Sequence, residues 1–317
     1  MKPDMQENAV SLSSAAPQAA PAAGEPGQAE ATRGFFFALV AYLLWGFLPL
    51  YMKAVAHMPA TEVLSHRIVW SVPVAGVVLL VLGRTGDIGP ALRSPRTLAM
   101  AATTALIIAV NWLIYVWAIA VDRTVETALG YYINPLVTVL LGAALLGERL
   151  NRWQVAAVGL AAAAVVVLTL DAGGLPWVSL ALAVTFAAYG YLRKTLPIGP
   201  SQGFFLEVLI LSPLALAFLV WQWSRGEGHF LDGINPWLLM LAGPVTAAPL
   251  ILYAFGAKLL RISTLGIMQY IAPTMIGAIG IFVFGEPFGT GRMIAFALIW
   301  AALALYTWSM FFGKREP

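Results

Sequence analysis

The stretch Leu64–Ser71 reads LSHRIVWS and places His66 beside Arg67 in a run that is otherwise largely apolar as far as Leu82. Imidazole titrates near neutrality, whereas guanidinium keeps its charge at any physiological pH. The pair could therefore divide two tasks, moving a proton and holding an anion. On a helix, Glu62 precedes His66 by one turn on the same face, and Ser71 follows Arg67 by one turn. Aligning PATEVLSHRIVWS (59–71) with PSQGFFLEVLILS (200–212) sets Glu207 opposite His66. On this reading Arg67 attracts a carboxylate or other anionic group, and His66 and Glu207 are the candidates for proton coupling. The competing reading has Arg67 snorkelling to an interface, His66 capping a loop, and Glu207 paired with Arg193 or Lys194.

Other polar side chains fall into stripes. Asn111, Tyr115, Ala118 and Asp122 follow a 4-3-4 spacing, as do Thr127, Tyr131, Asn134 and Thr138. Ser263, Tyr270 and Thr274 share one face with Gln269 adjacent, and Thr246, Pro249 and Tyr253 line another. A shared wet cavity would account for all four stripes. Arg67, Asn111, Trp112, Tyr115, Tyr131, Asn134, Tyr253, Gln269 and Tyr270 are then the substrate-binding candidates, with Trp45 and Tyr132 as further walls. Alternatively, each stripe supplies interhelical hydrogen bonds worth about 0.6 kcal/mol apiece in a membrane.

Several chemistries are missing. Cysteine is absent, which removes disulfides, thiol nucleophiles and thiolate metal sites. No GxxxxGK[ST], HExxH or GxSxG segment occurs. The three histidines, at 57, 66 and 229, lack ligand spacing, and His57 and His229 fall in segments that read as solvated loops. No catalytic residue, metal or cofactor is expected.

The elements that must position these residues follow from composition. Of 317 residues 60% are hydrophobic and 10% charged, against about 25% charged in soluble domains. A spanning helix needs roughly 20 mostly apolar residues. Ten such segments follow one another, at 34–56, 63–82, 97–119, 124–146, 153–170, 174–193, 204–223, 236–258, 263–285 and 290–312. The fold class expected is an all-α integral membrane protein. Residues 1–33, rich in Ala, Pro, Ser and Gly, read as a disordered cytoplasmic tail.

Charge sets the orientation. With the N-terminus inside, Arg33, Arg84, Arg93, Arg96, Arg149, Arg152, Arg193, Lys194, Lys258, Arg261, Lys314 and Arg315 lie on the inner side, and Lys53, Arg123, Arg225 and Arg292 on the outer side. This bias places both termini in the cytoplasm and accounts for the net charge of +3 without nucleic acid.

The chain also repeats itself. YINPLVTVLLGAALLGE (132–148) aligns without gaps to YIAPTMIGAIGIFVFGE (270–286), which are spans four and nine. The repeat unit is thus five helices, 34–170 and 171–317. Because five is odd, the second unit must enter the membrane inverted, an arrangement found in transporters whose substrate site lies near midplane between the repeats. Glu148-Arg149 and Glu286 read as helix-end fixtures. Gly46 and Gly190 hold matching positions suited to close helix approach, and Pro49, Pro135, Pro249 and Pro273 can kink their spans. An intramembrane transferase using His66 and Glu207 is the alternative, but an enzyme would gather its titratable groups at one membrane face.

The segments LWGFLPLYMK, EVLSHRIVWS, NWLIYVWAI, ETALGYYINPL, GERL and TLGIMQYIAPT resemble the EamA family of the drug/metabolite transporter superfamily. The likeness runs from Gly34 to Phe312. It implies ten helices in two inverted five-helix repeats, both termini inside, and a central cavity. It also implies export or exchange of small metabolites or drug-like solutes across a bacterial inner membrane. The partners implied are a small-molecule substrate and the lipid bilayer, and a homodimer is compatible with this architecture.

Overall fold

The computed structural model describes residues 28–146, 150–260, 264–265 and 268–312. Among them the regular structure is entirely helical: α1 (Gln28–Ala54), α2 (Ala60–Val81), α3 (Ile88–Arg93), α4 (Pro95–Ala120), α5 (Thr124–Leu146), α6 (Arg152–Ala172), α7 (Trp177–Thr195), α8 (Pro200–Ser224), α9 (Asn235–Leu259), α10 (Ile271–Ala278) and α11 (Thr290–Phe312), with a π-helical turn at Ile279–Val283. Local signals set several ends. Ser94 caps α4 ahead of Pro95, which suits a first helical position because it lacks an N–H to satisfy. Asn151 and Gln154 form a reciprocal capping box at α6.

Eight described helices, α1, α2, α4, α5, α6, α8, α9 and α11, are long and apolar enough to cross a membrane. The chain is a multi-pass membrane protein. Two of the ten expected spans depart from expectation. Segment 174–193 becomes α7, whose second half carries Tyr189, Tyr191 and Arg193 and which is not among the eight. Segment 263–285 is not one described helix; its continuous part is the shorter Ile271–Val283, preceded by a turn at Gln269 and Tyr270. The tail also shrinks. Gln28–Arg33, read as disordered, belongs to α1, since Gln, Ala, Glu and Arg are good helix formers. The remainder of that tail, together with Glu148, Arg149 and Ser263, lies outside the described residues.

The two halves interleave. The most extensive helix pairings all join one half to the other: α6 with α11, α1 with α9, α5 with α7, and α2 with both α8 and α9. These pairings, with several less extensive ones, also show an exchange pattern. Replacing each helix by its counterpart five spans on turns α1–α9 into α4–α7, α2–α9 into α4–α8 and α5–α7 into α1–α10, while α2–α8, α5–α10 and α6–α11 map onto themselves. All of these pairings occur.

Small residues permit the closest approaches. A Cβ on Gly243 of α9 would lie 2.2 Å from the Trp70 carbonyl oxygen of α2, and one on Gly256 would lie 2.8 Å from the Ala38 nitrogen of α1. Gly46 likewise abuts Met275. Its expected counterpart Gly190 does not act as a contact glycine, because a Cβ there would meet nothing within 4 Å.

Candidate functional site

The α2 residues Glu62, His66 and Arg67 are all buried, at 1%, 7% and 5% exposure. Ionisable groups buried to this extent are costly unless they are paired or hydrogen-bonded. Arg67 donates from Nε to Thr246 Oγ1 of α9 at 2.8 Å, and its guanidinium lies 4.4 Å from the centroid of the Trp112 ring. A desolvated contact of this cation–π type is worth ~2 kcal/mol. No carboxylate forms an ion pair with Arg67 among the described residues. The hydroxyls of Tyr51, Tyr115 and Tyr131 lie within electrostatic range of the guanidinium. Its Nη1 is buried with no hydrogen-bond partner, and so is the Tyr115 hydroxyl. The Tyr115 and Tyr131 rings are 5.9 Å apart, and Trp112 meets Phe204 of α8 edge-on at 6.5 Å. Arg67, Trp112, Tyr115 and Tyr131 therefore lie together, in contact with Thr246 and Phe204 of the second half.

His66 stacks on Phe230 at 5.0 Å with an interplanar angle of 13°, and Trp70 also stacks on Phe230, at 6.4 Å. His66 Nδ1 and Trp70 Nε1 are both buried without partners. Glu62 accepts from the backbone N–H of His229 at 2.7 Å and from Gln222 Nε2 at 2.8 Å, and its Oε2 lies 2.7 Å from His229 Nδ1. His229 is thus a partly exposed loop residue tied to Glu62. His57 is not free either: its Nε2 lies 2.9 Å from Asn235 Oδ1, while Asn235 Nδ2 donates to the His229 carbonyl. All three histidines gather around Glu62 and its loop. Glu62, Gln222, His229 and Asn235 were missed as a group because the contact joins α2 to a loop 167 residues away.

Glu207 has a different setting. Arg193 donates to its Oε1 at 2.7 Å and Tyr189 donates to its Oε2 at 3.2 Å. The pairing with Arg193 weighed as the bland alternative is the one present. No hydrogen bond or ion pair joins His66 to Glu207 among the described residues.

The other stripe residues are not gathered around Arg67. Asn111 Nδ2 donates to the Leu182 carbonyl and to Thr185 Oγ1, and Asn134 Nδ2 donates to the Ala183 carbonyl, so both amides dock α7. Asn111 Oδ1 remains unpartnered. Tyr253 packs against Tyr42 and Trp45, at 5.9 and 5.7 Å. Tyr270 stacks on Tyr132 at 6.4 Å, whose hydroxyl lies 2.5 Å from Thr274 Oγ1. Gln269, half-buried, sits in the turn before α10. Asp122, the last residue of the expected stripe, lies beyond the end of α4 with φ +58° and forms an exposed ion pair with Lys53.

The helix-end reading of Glu286 has a defined geometry. The π-helical turn and Gly285, at φ +69°, carry Glu286 back to the start of α5. There it accepts from the backbone N–H groups of Thr124, at 2.5 Å, and Val125, at 2.9 Å.

Residues 32–170 match the family model described as the EamA-like transporter family. Over 281 residues the chain is 41% identical to Protein RarD of Streptomyces exfoliatus, covering 88% of this chain and 89% of that protein. It is 40% identical to the Uncharacterized transporter YojE of Bacillus subtilis (strain 168), covering 90% of this chain and 97% of that protein. A crystal structure named only as that of a protein aligns with a TM-score of 0.56 at 22% identity, over 90% of this chain and 99% of that one, a likeness of fold.

Proposed function

Because this chain belongs to the EamA-like transporter family, we propose that it is a secondary transporter that exports or exchanges small metabolites or drug-like solutes across the bacterial inner membrane. In this reading two inverted five-helix repeats alternate access to a site around Arg67, with both termini in the cytoplasm. The carrying observation is the buried guanidinium of Arg67, contacted by α4 of the first half and α9 of the second, with Nη1 free. A substrate site between repeats is what alternating access requires. The exchange pattern of the helix pairings supports the inverted duplication, and the charge bias supports the orientation. The transferase alternative is disfavoured because His66 and Glu207 keep separate partners.

Single cysteines test the topology on this cysteine-free chain. A cysteine at Arg93 should react only from the cytoplasmic side and one at Asp171 only from the outside; the reverse pattern would overturn the orientation. Proteoliposomes with and without an imposed pH gradient test the transport itself. Proton exchange is assigned to His66 and Glu207, the latter when its pair with Arg193 opens. Glu207→Gln should then flatten the pH dependence of transport while leaving substrate binding largely intact. An unaltered pH profile would end the assignment.

A further inference from the structure

We infer that the Arg67 site binds a monoanionic carboxylate carried on an aromatic ring. This rests on the transporter reading and names the substrate class for that same site.

The guanidinium has one buried nitrogen with nothing to donate to. Its Nε is engaged by the uncharged Thr246 hydroxyl, and one face lies on Trp112. Nη1 has no partner. A guanidinium N–H in this position is suited to donating to a carboxylate oxygen. A buried cation without a carboxylate leaves an uncompensated charge, which a bound anion would neutralise. The Tyr115 hydroxyl, buried in the same cluster and also unpartnered, is a second donor for that anion.

Charge balance selects among anions. Arg67 supplies one positive charge and pairs with no carboxylate among the described residues. A monoanion leaves the Arg67 site neutral. A phosphate dianion would leave a net negative charge buried beside the Trp112, Tyr115 and Tyr131 rings. The surroundings select the body: Trp112, Tyr115, Tyr131 and Phe204 present ring faces and edges, which favour stacked or edge-to-face contact with another ring.

The test uses the full chain purified in detergent, with benzoate as the probe and unfolding temperature as the readout, since a ligand that binds only the folded state raises it. Benzoate should raise the midpoint saturably. Benzamide, its neutral isostere, and chloride should give no shift at equal concentration, and phenylphosphate should bind at least tenfold more weakly. Arg67→Ala should lose the benzoate shift while eluting as a monodisperse species, and Arg67→Lys should retain part of it. Trp112→Leu, which keeps the charge, should weaken benzoate at least tenfold and provides the test should Arg67→Ala fail to fold. Equal binding of benzamide and benzoate, or a full benzoate shift in Arg67→Ala, overturns the assignment. Benzoate binding needs no membrane, so the two readings fail separately. Transport without benzoate binding removes only this assignment, and benzoate binding without transport in proteoliposomes removes only the transporter reading.

Discussion

Gly243→Ala is expected to abolish transport and to lower the unfolding temperature sharply, although it adds a single methyl group. The added Cβ would lie 2.2 Å from the Trp70 carbonyl oxygen and 2.6 Å from its carbon. Both are backbone atoms of α2, so no rotamer change relieves the contact, and α2 and α9 must move apart. Overpacking of this kind costs about 1–3 kcal/mol or more. The functional loss should exceed that figure, because the Arg67–Thr246 hydrogen bond lies about one turn away along both helices. Separating the helices would therefore also release the fixed edge of the guanidinium. Gly159→Ala in α6 is the control, since a Cβ there meets nothing within 4 Å. It should be neutral or stabilising by up to ~1 kcal/mol. Equal midpoints and equal transport rates for the two variants would refute the steric account.

Glu286→Ala should be the most damaging single change at a helix end. Its carboxylate accepts two N–H groups at the start of α5, where no intrahelical acceptor exists, and the side chain is 5% exposed. Removing it leaves two donors unsatisfied away from water. Charge-assisted bonds of this sort are worth about 1.5–3 kcal/mol each, so a loss of about 2–4 kcal/mol is expected after relaxation. Glu286→Gln offers one accepting oxygen in place of two and should lose roughly half as much. Thermal unfolding of the three proteins in one detergent checks the ordering. A Glu286→Ala midpoint equal to that of the parent chain would show that water reaches the α5 terminus instead.

Sequence patterns carried most of the helical content, because apolar length is a local property. The letters shared by 132–148 and 270–286 were legible as well, and the geometry accounts for part of the second segment. Gly285 adopts the left-handed turn, Glu286 caps α5, and a Cβ on Gly280 would come within 3.0 Å of Val125, so three of the repeated letters serve one helix end. Partners distant in sequence were not legible. Thr246 reads as one member of a stripe until α9 is laid against α2. His229 reads as a loop residue until its loop folds onto Glu62. The stripes overstated the site for a related reason. Spacing shows that Asn111, Asn134, Tyr253 and Tyr270 lie on particular helix faces, but the neighbours those faces meet are set by packing. Two of these residues hold α7 and two join separate aromatic clusters.

The interleaving of the halves bears on how such a chain is made. A ribosome delivers α1 to α6 first, yet their principal partners, α7 to α11, are still untranslated. The early helices enter the lipid with Gly46, Gly130 and the face that bears Arg67 unopposed. Each later helix then inserts beside a partner already waiting in the bilayer. Maturation of this protein is therefore an assembly between an older and a younger half of one polypeptide, completed when α11 settles against α6.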